Sequence, residues 1–80
     1  MSERTEFLGQ RAELEQERMK QEAGAEALRD ALRKALNPVL PVVDLVPSEI
    51  AALAANLVSG LDKLKETTAR LAKLRELLGA

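Results

Sequence analysis

An 80-residue chain forms one small domain, and a core of this size is thin without disulfides, metals or association. Cysteine and histidine are both absent, which excludes disulfides, thiolate metal sites and the usual general base near neutral pH, so no cofactor is expected. The apolar fraction is 46% with Phe7 the one aromatic, and the net charge of −1 mixes both signs, which argues against a polyanion-binding surface.

Residues 1–6 are polar and mixed in charge, unlike a secretory signal. A first helix is expected from Ser2 or Thr5 to about Leu36, or residues 3–36. Its second half carries an apolar stripe of Ala25, Leu28, Leu32 and Ala35 at three- and four-residue spacing. Arg29, Arg33 and Lys34 fall off that stripe near the helix end, where cations offset the dipole. The first half is richer in Glu, Gln and Arg. Phe7, Leu14 and Leu28 keep heptad register, but Gln21 interrupts it and Arg11 and Arg18 fall beside the seam. Residues 1–24 are therefore expected to be helical against a neighbour and frayed without one.

Asn37 before Pro38 is a stop signal, because proline pushes the preceding residue out of the α region. The connection, residues 37–47, holds Pro38, Pro41 and Pro47 together with Val39, Leu40, Val42, Val43, Leu45 and Val46. Proline denies it a continuous helix, with room for one short turn. It is also too apolar for an ordinary surface loop, which marks it as an end cap or a docking surface. The PxxP from Pro38 to Pro41 lacks flanking cations and reads as a structural turn.

A second helix is expected over residues 48–78, with Ser48 as cap or Pro47 as its first residue, and a stop at Gly79. Ile50, Leu57, Leu64, Leu71 and Leu78 recur every seven residues, and Leu53, Leu61 and Leu74 lie beside them. Thr67 and Thr68 are a weak spot. A strict heptad favours supercoiling against another helix.

Folding the chain about its connection sets Leu28 against Leu57, Leu32 against Leu53 and Leu14 against Leu71, with Phe7 near Leu77 and Leu78. It also sets Gly24 opposite Gly60, either to let the backbones approach or as two independent defects. Charge supports this orientation: residues 1–24 hold six acids and four bases, residues 61–80 five bases and three acids. The fold class expected is thus all-α, an antiparallel two-helix hairpin resembling a coiled coil.

Residues 50–61 carry no charge on any face, and their apolar arc is wider than a two-helix pair buries. Either the apolar connection folds over it, or a second copy covers it in a four-helix bundle; the second is preferred. Twelve residues are too few to span a bilayer, and the connection lacks the Trp, Lys and Arg of interfacial anchors, so no membrane role is expected.

Chemistry finds little support. The carboxylates Glu13, Glu15, Glu17, Glu22 and Glu26 read as a solvated helix surface, and no serine or lysine has a neighbouring base, so no catalytic site is expected. The zipper-like leucines lack a basic helix running into them, since residues 39–48 are apolar and proline-broken. Nucleic-acid contact by Arg29, Arg33, Lys34, Lys63, Lys65, Arg70, Lys73 and Arg75 is an alternative, weakened by interleaved acids and missing aromatics. The expected function is a non-enzymatic interaction or oligomerisation protein, a cytoplasmic homodimer whose hairpin and dimer interface is built from Leu28, Leu32, Ile50, Leu53, Leu57, Leu61, Leu64 and Leu71. A further alternative is an inhibitor or adaptor for one partner protein, with residues 1–24 ordering on binding.

Overall fold

The computed structural model describes residues 3–79: two helices, α1 (Glu3–Ala35) and α2 (Pro47–Leu78), joined by an apolar connection. The fold is the all-α hairpin that the patterning predicts. α1 is built from strong helix formers, with Glu3 and Glu6 in its first turn and Arg33 and Lys34 in its last, the polarity that the helix dipole favours. Ser2 lies outside the described residues, and Thr5 falls within the first turn rather than ahead of it.

The end of α1 follows from Asn37 and Pro38. The Leu36 N–H still reaches the Leu32 carbonyl at 2.9 Å, but the Asn37 N–H bonds to Lys34 at 3.2 Å, a tightened closing turn. Asn37 then organises the exit: its Oδ1 accepts from the Val39 N–H at 2.9 Å and its carbonyl accepts from Leu40 at 3.1 Å. A single 3-10 turn, Val42–Asp44, follows Pro41, whose carbonyl accepts the Asp44 N–H at 2.9 Å.

Between the two expected starts of α2, the proline prevails. Val46 is extended, Pro47 is the first helical residue, and no side chain caps the helix, so Ser48 is already inside. Proline suits that position because its fixed φ is helical and its missing N–H would have no intrahelical partner. At the far end Gly79 adopts φ 71°, the left-handed region, and its N–H reaches the carbonyls of Arg75 and Glu76.

The helices lie side by side in a rod of 62 × 16 × 16 Å. The radius of gyration, 17.9 Å, far exceeds the ~12 Å of a globular chain of this length. Nearly every side chain is therefore one layer from solvent. Apart from Ala54 on the flank, the covered positions of α2 are Ile50, Leu53, Leu57, Gly60, Leu64, Thr67, Leu71, Leu74 and Leu78, a seam of alternating three- and four-residue steps. α1 answers with Phe7, Arg11, Leu14, Arg18, Gln21, Ala25, Leu28, Leu32 and Ala35 on the same steps. Arg11 and Arg18 are thus members of the seam, half-buried, and not residues beside it. Each side chain is 34% exposed, and its guanidinium faces the carboxylate one turn on, Glu15 at 4.0 Å and Glu22 at 3.0 Å.

Contacts across the seam fix the antiparallel register. The Arg4 guanidinium donates to the Leu78 carbonyl at 3.2 Å, and Arg75 approaches Glu15 at 3.9 Å. Ala25 shares a groove with Leu57, Leu61 and Leu64. In this register Ala25 takes the seam position beside Gly60 while Gly24 is exposed, and a Cβ built on either glycine meets nothing within 4 Å. The glycines are therefore separate, tolerated defects and not a close backbone approach.

Candidate interaction surface

Burial along the rod is uneven. Of the five buried residues among those described, Ala25 alone lies in the half of the rod nearest the connection. Thr67, Leu71, Leu74 and Leu78 lie in the half that holds Glu3 and Gly79, with Leu71 only 1% exposed. There the facing residues of α1 are long: Phe7, Arg11, Leu14, Glu15, Arg18 and Gln21 are each half-buried and lie over the leucines. Toward the connection, α1 offers Ala25, Ala31 and Ala35, and α2 offers Ala54 and Gly60. Short side chains cannot shield the seam, so Leu28, Leu32, Ile50, Leu53 and Leu57 stay half-buried.

Of the residues predicted at the interface, Leu71 is buried and Leu28, Leu32, Ile50, Leu53, Leu57 and Leu64 line the seam. Leu61 differs. It stands on the flank, 37% exposed, because Gly60 takes the inward position. Beside it on that flank Ala51 and Val58 are exposed and Ala54 half-buried. Leu74 and Leu78 contribute more burial than most residues predicted, and their three–four spacing from Leu71 was the signal that located them.

The connection does not cover the uncharged arc. Val39, Val42 and Val43 project into solvent, with Val43 90% exposed. Leu40 and Val46 instead line a shallow groove with Ala31 and Ala35 at the mouth of the hairpin, and Leu45 is half-buried. Two turns place the valines outward: Pro38 sits inside the turn that the Leu40 N–H closes on the Asn37 carbonyl, and Pro41, at φ −57° and ψ 144°, leads into the 3-10 turn, so Val39, Val42 and Val43 project from the helix ends.

Polar groups complete the picture. The basic residues of α2 are interleaved with acids, with Arg70 paired to Glu66 at 3.1 Å and Arg75 to Glu15 at 3.9 Å. The Gln21 amide donates outward to exposed Glu17 at 3.3 Å, while its Oε1 is buried without a hydrogen-bond partner. Among the described residues, no group of three or more His, Cys, Asp or Glu side chains is placed to hold a metal ion, and no helix is long and apolar enough to cross a membrane. No family model, no curated protein and no solved structure matches the chain.

Proposed function

We propose that the chain is a non-enzymatic helical interaction protein whose working form is an assembly of hairpins, most simply a homodimeric four-helix bundle with coiled-coil-like packing. The observation that carries this reading is the half of the rod nearest the connection. Its seam leucines are half-covered, the charge-free residues 50–61 present Val58 and Leu61 to water beside the seam, and the connection leaves that face open. Exposed apolar surface of this kind on a thin hairpin is what an association interface looks like before its partner arrives. The cytoplasm is the compartment this reading assigns, on its cysteine-free, mixed-charge composition.

Light scattering and native mass measurement test it. The expected result is a species of twice the 8.7 kDa chain mass, converting to monomer or unfolding in Leu57→Glu. A monomer at every concentration overturns the proposal. The nucleic-acid alternative has less support, since Arg29, Arg70 and Arg75 each already face a carboxylate. Salt-sensitive retention on heparin would revive it.

A further inference from the structure

α1 carries a second stripe that the hairpin does not use. Met19, Glu22, Glu26, Arg29, Arg33 and Leu36 follow three–four heptad steps on one flank, and all six are exposed, Met19 at 62% and Leu36 at 45%. Read from either end, the stripe runs apolar, two charges of one sign, two of the other, apolar. Its spacing is symmetric about a point between Ala27 and Leu28. A helix bearing such a stripe is complementary to an antiparallel copy of itself: Met19 meets Leu36, Glu22 meets Arg33 and Glu26 meets Arg29, each pair occurring twice. The same stripe paired in parallel sets acid on acid and base on base.

This stripe and the open apolar flank of α2 lie on one side of the hairpin. Glu22, Glu26 and Arg29 line the same groove as Leu57, Leu61 and Leu64. In the register of the fold, the symmetry point on α1 stands level with the step between Leu57 and Val58 on α2. One two-fold axis at that level therefore serves both helices. It brings α2 onto an antiparallel α2 with Ala54 opposite Leu61 and the Val58 side chains near each other, small residue against large.

We infer that the occupant of this face is a second copy of the chain, bound antiparallel about a two-fold axis at the Leu28–Leu57 level, with the Met19-to-Leu36 stripe setting orientation and register. This rests on the dimeric reading above and specifies its geometry. Within one chain Glu22 accepts from Arg18 at 3.0 Å and Arg29 donates to Asp30 at 3.2 Å. These contacts are solvent-exposed and weak enough to be shared or exchanged with the copy.

Because the chain has no cysteine, single-cysteine variants of the full chain read the geometry directly. Under mild oxidation Val58→Cys should form a disulfide-linked dimer. Met19→Cys and Leu36→Cys should each stay unlinked alone, since each copy's residue lies about 26 Å along the axis from its equivalent, and should crosslink when the two are mixed. Glu22→Lys with Glu26→Lys, and separately Arg29→Glu with Arg33→Glu, should each dimerise about tenfold more weakly; mixing the two should restore association. Helix content by circular dichroism checks that each variant is folded. Native mass showing only monomer removes the dimeric reading itself. A dimeric mass with Met19→Cys linking to itself, or with Val58→Cys unlinked, leaves the dimer standing and overturns the antiparallel geometry.

Discussion

The two ends of the hairpin solve the same packing problem with different side chains. In the half away from the connection, α1 is polar by composition yet covers its partner well, because arginine, glutamine and glutamate have long stems. Near the connection, α1 is apolar by composition yet covers its partner poorly, because alanine has no reach. Hydrophobicity counted along the chain would rank the halves the opposite way. The lesson is that in a two-helix layer, shielding depends on side-chain length beside the seam as much as on apolar residues within it.

The largest expected effect breaks the comparison at its strongest point. Leu71→Ala removes the most buried side chain and should destabilise the chain by about 3 kcal/mol in urea unfolding. Leu57→Ala, at a half-buried seam position, should cost clearly less if the hairpin stands alone. If a second copy covers the connection half, the two losses should converge and the midpoint of Leu57→Ala should move with protein concentration.

Gln21→Leu sharpens the comparison from the other side. Its buried, unpartnered Oε1 is a defect in the well-covered half, so an apolar replacement should stabilise by roughly 1 kcal/mol. A loss of stability would show that Gln21 is satisfied in solution. Gly60→Ala should raise the melting temperature, since helix propensity favours alanine by about 1 kcal/mol and the new Cβ meets nothing within 4 Å. Destabilisation would instead reveal a close approach that a single hairpin lacks. The smallest effect belongs to the cross-helix pair of Arg75 and Glu15, 3.9 Å apart with side chains 54% and 42% exposed: a double-mutant cycle should give a coupling below about 0.5 kcal/mol.

Fraying of residues 3–24 follows the same contrast. Leu71, Leu74 and Leu78 bury themselves against this segment, so the amides of residues 7–24, past the first turn, should exchange more slowly than those of residues 25–35 in the isolated chain. Faster exchange at residues 7–24 would favour the adaptor alternative, in which that segment waits for a partner.

Much of the hairpin was legible in the sequence because its signals are local. Asn37 with Pro38 ends α1 through a steric clash, Pro47 opens α2 through a fixed φ, and Gly79 closes it in the left-handed region. The heptad leucines of α2 named their own seam, since every seventh residue falls on one helical face. The membership of Arg11, Arg18 and Gln21 in the facing seam was harder to see, because residue type alone cannot say whether a long polar side chain lies along a neighbour or points away. Which half is deeply covered, that Leu61 yields the inward position to Gly60, and that the connection turns its valines outward were likewise tertiary decisions. Each depends on what stands opposite, and helix register, not composition, supplies that.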